Sequence, residues 1–160
     1  MWFDVQNQES LLNDDLLENK VVENTNKRIV ILEAPSGCGK TRFIKSIKRK
    51  RTLRIPSNIF LETIFFSDEY KFYEKNLEMI LYFITNLYGI DIVCLEDIDY
   101  VISRGEATQE LYARIVLSLS KKYLVIVTVI NISNDCKVFL SCIHDQYRHF
   151  KFFDQKKTER

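Results

Sequence analysis

At 160 residues and 19.0 kDa the chain has room for one domain with a real core, and too little for a second of ordinary size. A hydrophobic fraction of 46%, a charged fraction of 28%, four glycines and two prolines exclude low-complexity or linker-rich sequence. The net charge of +1 excludes a uniformly acidic or basic surface, yet it hides an acidic start and a basic middle.

Residues 1–26 read as an acidic N-terminal segment, with Asp4, Glu9, Asp14, Asp15, Glu18 and Glu23 against Lys20. Its opening, Met1-Trp2-Phe3-Asp4, has no basic stretch followed by an apolar one, so no export signal is expected. Leu11, Leu12, Leu16 and Leu17, interleaved with Asp14, Asp15 and Glu18, suit a short amphipathic helix. That helix either packs on the domain or docks on a basic partner groove. Ile29 to Glu33 predicts a short buried strand and opens the main domain, residues 27–154. Directly behind it, Ala34-Pro35-Ser36-Gly37-Cys38-Gly39-Lys40-Thr41 fits the phosphate-loop pattern [AG]-x-x-x-x-G-K-[ST]. The pattern has a mechanical reason. Glycines let backbone N–H groups turn inward around phosphate oxygens, Lys40 reaches the β- and γ-phosphates, and Thr41 offers its hydroxyl to Mg²⁺. ATP or ADP with Mg²⁺ is therefore the expected ligand, held by Ala34 to Thr41 and Arg42.

A helix is expected over 40–50 with Phe43, Ile44 and Ile47 inward. Arg42, Lys45, Lys48, Arg49, Lys50, Arg51 and Arg54 make region 42–54 basic, either as a DNA surface or as a solvated helix face. A strand lies somewhere in 52–66, interrupted by Pro56. Ser67 is placed to cap a helix carrying Tyr70, Tyr73, Leu77, Ile80, Leu81, Ile84 and Leu87, ended by Gly89. Ile90 to Leu95 predicts a buried strand that runs into Glu96-Asp97-Ile98-Asp99. A helix over 108–122 with Leu111, Ile115 and Leu119 inward, a strand over 123–129, a helix over 134–147 and a strand over 150–153 complete the pattern. Residues 155–160 form a short basic tail.

The longest apolar run, Tyr123 to Ile130, falls far short of the roughly 20 residues that span a bilayer. A soluble cytoplasmic protein with no membrane partner is expected. Cys38, Cys94, Cys136 and Cys142 lack C-x-x-C spacing, so reduced thiols are expected. His144 and His149 are too few to build a metal centre with them.

The acidic pair Glu96-Asp97 closes an apolar strand, at the sheet edge where open α/β folds bind ligands. One carboxylate there suits Mg²⁺ and one an attacking water; the alternative is a pair that only caps the turn. At this point the chain resembles the AAA+ P-loop ATPases, and within them the nucleotide-binding core of DnaA-type replication initiators and their shortened regulatory relatives. The resemblance rests on Ala34 to Thr41, Gly89 to Asp99, Thr108-Gln109-Glu110-Leu111 and Ile126-Val127-Thr128, and covers about residues 28 to 153. It implies a three-layer α/β fold with a parallel five-stranded sheet in the order 5-1-4-3-2, nucleotide-dependent assembly and work on DNA or a DNA-bound partner.

Carried over residue by residue, the resemblance makes Lys40 and Thr41 the phosphate and Mg²⁺ residues. Glu96 then stands for the metal-side aspartate, and Asp97 for the water-activating acid, also close to the metal. The polar sensor at the end of the fourth strand is Thr128 or Asn131. Arg148, just before the last strand, is either an arginine lent to a neighbouring subunit or a surface arginine. Glutamate is one methylene longer than the aspartate it replaces, and aspartate one shorter than the usual base, so slow turnover is expected. The helical lid and the helix-turn-helix DNA reader of true initiators have no counterpart here, which favours a regulatory switch over an initiator. A small P-loop nucleotide or small-molecule kinase, with Arg104 as its loop arginine, remains as an alternative. So do a non-hydrolysing P-loop interaction module and a clamp-loader-like subunit.

Overall fold

Strands buried on both faces alternate with one-sided helices, and that alternation dictates a sheet covered on both sides. The computed structural model describes residues 1–48, 50–64, 78–79, 82 and 86–153. The expected helix after Ser67, with Tyr70, Tyr73, Leu77, Ile80, Leu81 and Ile84, falls almost wholly outside the described residues, as do Arg49 and the basic tail.

In chain order the strands are β1 (Trp2–Asp4), β2 (Glu9–Leu11), β3 (Ile29–Glu33), β4 (Thr52–Pro56), β5 (Ile92–Glu96), β6 (Leu124–Val129) and β7 (Tyr147–Phe152). The helices are α1 (Asp14–Val21), α2 (Lys40–Ser46), α3 (Ser57–Ile64), α4 (Asp99–Ile102), α5 (Glu106–Ser120) and α6 (Lys137–Cys142), the last preceded by a 3₁₀ turn, Asn134–Cys136.

One sheet runs β2-β1-β7-β3-β6-β5-β4. Its last five strands are mutually parallel and stand in the order that the resemblance implies, 5-1-4-3-2. The sheet as a whole is mixed and seven-stranded, which corrects the expected parallel five. The hairpin β1–β2 adds itself antiparallel to β7, with Trp2 opposite Phe152 and Asp4 opposite Phe150. Strands of three residues are too short for their alternation to show as a period.

One face of the sheet packs Ile31, Val93, Leu95, Val125 and Val127 under α5 and α6, through Leu111, Tyr112, Ile115, Leu119 and Phe139. The other packs Val30, Leu32, Cys94 and Ile126 under α1 and α2, through Leu17, Val21, Phe43, Ile44 and Ile47. Each such aliphatic side chain taken out of water contributes about 1.5–3 kcal/mol.

Asn13 caps α1 by accepting the Leu16 N–H at 2.9 Å. The four N-terminal leucines then divide, Leu11 and Leu17 buried and Leu12 and Leu16 exposed. Helix α2 stops at Ser46, short of the expected Lys50, because the Ser46 hydroxyl donates to Phe43 O (2.6 Å) and Ile47 is already extended. Pro56 sits at the last residue of β4, where a missing N–H costs no ladder bond, and α3 begins at once. Residues 57–64 are therefore helical where a strand was sought. Helix α6 ends at Cys142 rather than near 147, and β7 starts three residues earlier than expected, drawing Arg148 and His149 into the sheet. Among the described residues no helix is long and apolar enough to cross a membrane, and all four cysteines are free thiols.

Candidate nucleotide site

The parallel ladder of β3 and β6 extends one residue past β3, with Ala34 N–H donating to Val129 O at 3.0 Å. The loop then leaves the sheet. Gly37 (φ 80°) and Gly39 (φ 90°) both take the left-handed conformation. At Gly37 a side chain would have open space, so backbone conformation alone requires glycine; at Gly39 a Cβ would also sit 3.4 Å from the Arg42 guanidinium. Gly39 is the N-cap of α2, and no side chain satisfies the first N–H groups of that helix. The loop borders a cavity of about 780 Å³ lined by Ser36, Gly37, Cys38, Gly39, Lys40, Thr41, Arg42, Asp97 and Phe152. Its volume lies within the range of small-molecule sites, roughly 300–1,000 Å³.

Lys40 Nζ is half-buried and donates to Ala34 O and, at 3.4 Å, to Val129 O. Burial lowers its pKa from the usual lysine value, while Asp97, Asp99, Cys38 and Glu33 pull the other way. A phosphate group beside it would hold the ammonium charged. Thr41, in the first turn of α2, lines the same cavity.

Asp97 lines the same cavity with a left-handed φ of 58°, a conformation that aspartate tolerates better than most residues. It is held by Thr128, a buried residue of β6. Thr128 Oγ1 accepts the Asp97 N–H at 2.9 Å, and Thr128 O accepts the Ile98 N–H at 3.0 Å. Thr128 thus fixes the turn that presents Asp97. Asn131 is not gathered with them. It is exposed and borders a separate cavity with Asp99, Asp135 and Glu106, so of the two sensor candidates only Thr128 touches the acidic turn.

Glu96, the expected metal-side carboxylate, is paired with an arginine of the neighbouring strand. Its carboxylate accepts two bonds from Arg54 of β4, from Nε at 2.7 Å and from Nη2 at 3.1 Å, and it is absent from the cavity wall. This forked pair raises the Arg54 pKa and takes Arg54 out of the basic surface. The cause lies in the register, which places β4 and β5 side by side with Arg54 opposite Cys94 and Pro56 opposite Glu96.

Arg148 is likewise committed inside its own chain. Its guanidinium donates to the carbonyls of Lys20, Val21 (3.0 Å) and Lys27 (3.1 Å), closing the C-terminal end of α1. Burial lowers its pKa from the usual arginine value. An arginine lent to a neighbour projects from the surface, whereas this guanidinium is engaged by three carbonyls of its own chain.

Two residues, Phe152 and Trp2, went unnoticed in the sequence as site elements, whereas Asp99 was a weaker candidate for one of the two acidic roles. Asp99 accepts the Ile130 N–H with both oxygens (3.2 and 3.0 Å) and so fastens the chain after β6. Phe152 walls the cavity, and Trp2 packs against it with ring centroids 5.5 Å apart. The aromatic cluster at 150–153 was the available signal for Phe152; Trp2 had none, because its ring partners, Phe43 and Phe152, lie about 40 and 150 residues along the chain.

No group of three or more His, Cys, Asp or Glu that could hold a metal exists among the described residues. Thr41 and Asp97 nevertheless fit the sparse donor set of a Mg²⁺ that takes its remaining ligands from phosphates and water.

No family model and no curated protein matches this sequence. Solved structures do. The chain is similar to the Saccharomyces cerevisiae Hsp104–ADP complex (TM-score 0.61, 14% identity), covering 95% of this chain and 24% of that one. It is similar to AMPPCP-bound DnaA from Aquifex aeolicus (TM-score 0.59, 14% identity, 98% and 51%). It is also similar to the Aeropyrum pernix ORC1 protein in complex with DNA (TM-score 0.53, 14% identity, 88% and 44%). The chain spans about half or less of each of those proteins. At these identities the likeness shows the fold alone, the α/β fold that the chain shares with those Hsp104, DnaA and ORC1 structures.

Proposed function

We propose that this chain is an ATP-binding, slowly hydrolysing nucleotide switch that acts in the initiation of DNA replication or its regulation, through a DNA-bound or AAA+ partner. The observation that carries the reading is the convergence of Lys40, Thr41 and Asp97 on the cavity bordered by the left-handed glycines. ATP or ADP would lie with its phosphates along Ser36 to Thr41. Lys40 would compensate the β- and γ-oxygens, and Mg²⁺ would be held between Thr41, Asp97 and the phosphates. Bound Mg²⁺ supplies charge neutralisation at the transferred phosphoryl group. Asp97 serves as the carboxylate that orients water, and Thr128 as the residue that positions it.

Slow turnover follows from the donor count. With Glu96 held by Arg54, one carboxylate must serve both metal and water. The same pair supports a second reading, an interaction module that binds nucleotide without turning it over. The kinase reading has less support, since Arg104 lies over the Tyr100 ring at 4.7 Å and borders a different cavity. DNA contact would run through Arg42, Lys45, Lys48, Lys50 and Arg51, all exposed.

Calorimetric titration of ATP–Mg²⁺ into wild type and Lys40→Ala tests the reading. Binding that disappears in the variant is expected; a folded wild type that binds no nucleotide overturns it. Magnesium-dependent hydrolysis that vanishes with Lys40→Ala would exclude the non-hydrolysing module.

A further inference from the structure

Phe152 is the one aromatic residue among the described residues that line the phosphate cavity, and its surroundings do more than support the sheet. It lies at the C-terminal end of β7, beside the loop that follows β3, and is partly buried. Its ring is packed by Trp2, at 5.5 Å between centroids and 73° between planes. Trp2 is 4% exposed and sits opposite Phe152 in the β1–β7 ladder. Trp2 also touches Phe43 of α2, the helix that the phosphate loop opens, at 6.2 Å. The N-terminal strand therefore clamps an aromatic ring at the cavity wall and ties it to the phosphate-binding helix.

We propose that the uncovered part of the Phe152 ring is the stacking platform for the base of the nucleotide, with Trp2 as the residue that positions it. The site then takes nucleoside polyphosphates in preference to inorganic polyphosphate. The inference rests on the nucleotide-binding reading above. Its physical basis is that a purine offers a large π-face, that aromatic–base stacking strengthens binding appreciably, and that a ring immobilised beforehand loses little freedom on contact.

The test is calorimetry with two probes, ATP–Mg²⁺ and Mg²⁺–tripolyphosphate, on wild type, Phe152→Ala, Phe152→Leu, Phe152→Tyr and Lys40→Ala. Phe152→Leu keeps apolar volume without the ring, so it guards against a variant that fails to fold. Expected for Phe152→Ala and Phe152→Leu is about tenfold weaker ATP binding with tripolyphosphate binding unchanged, and recovery in Phe152→Tyr. The fluorescence of Trp2, the chain's single tryptophan, should respond to ATP and not to tripolyphosphate. Equal weakening of both probes would assign Phe152 a purely structural role and overturn the proposal, as would no change in either. A wild type that binds neither probe, or a Lys40→Ala that binds both normally, overturns the nucleotide reading itself.

Discussion

Asp97 stands at the cavity with its N–H tied to Thr128, while Glu96 one residue earlier is engaged by Arg54. Neighbours in sequence thus meet different surroundings, because a turn of the backbone places one at the loop cavity and the ladder places the other beside a strand partner. Asp97→Asn is expected to leave ATP binding in place and to lower magnesium-dependent hydrolysis by about a hundredfold or more, the usual worth of a positioned base. Glu96→Gln keeps an acceptor for Arg54 and is expected to change hydrolysis by less than about threefold. Phosphate-release kinetics on both variants decide it; a larger loss in Glu96→Gln would return Glu96 to the metal. The sequence pattern located the acidic pair because apolar strand and carboxylate are adjacent, but it could not rank the two, since Arg54 lies 42 residues upstream.

At the scale of elements, β7 and the N-terminal hairpin rearrange what the linear pattern suggested. Because β7 begins at Tyr147, Arg148 becomes a strand residue whose side chain crosses to the α1 face, where three carbonyls receive it. Arg148→Ala leaves those carbonyls without a charged donor in a half-buried place, and is expected to cost about 1–3 kcal/mol of folding stability. Urea unfolding measures that loss. Hydrolysis in mixtures of the variant with wild type separates the two roles: an arginine lent between subunits would depress turnover in the mixture, and an internal cap would leave it unchanged. The hairpin escaped notice because acidic composition masks Trp2, Phe3 and Leu11, and the ring contacts of Trp2 and Phe3 lie at α2 and at the end of β7, in Phe43, Phe152 and Phe153.

Across the whole molecule, Glu33 ties distant segments together at the root of the phosphate loop. It is 3% exposed, it receives the Ile132 N–H at 3.0 Å, and it faces His149 Nε2 at 2.8 Å and Lys151 Nζ at 3.7 Å. Burial lowers the His149 pKa from its ordinary value, opposed by the hydrogen bond and charge of Glu33 and by Asp4, and reinforced by Lys151. Its folded pKa lies below the unfolded one, so the unfolded chain takes up the proton first as pH falls. Stability is expected to be full above about pH 6.5 and to decline below it, until the folded-state imidazole also protonates. Thermal unfolding between pH 8 and 5 checks the sign. His149→Gln should flatten the decline, and an unchanged slope would place its cause elsewhere.

The amino-acid sequence by itself determined what is local: the glycines that must take positive φ, the lysine and threonine behind them, the apolar strands that need cover on both faces, and the inward stripe Leu111, Ile115 and Leu119 of α5. These follow from backbone sterics and from a hydrophobic period read within a dozen residues. Tertiary structure alone decided the partners. Arg54 took Glu96, the α1 carbonyls took Arg148, Thr128 rather than Asn131 met Asp97, and Trp2 reached Phe152 from the opposite end of the chain. The reason is that a polar or aromatic side chain is committed by whatever folding brings within a few ångströms of it. In a parallel sheet those neighbours come from strands far apart in sequence.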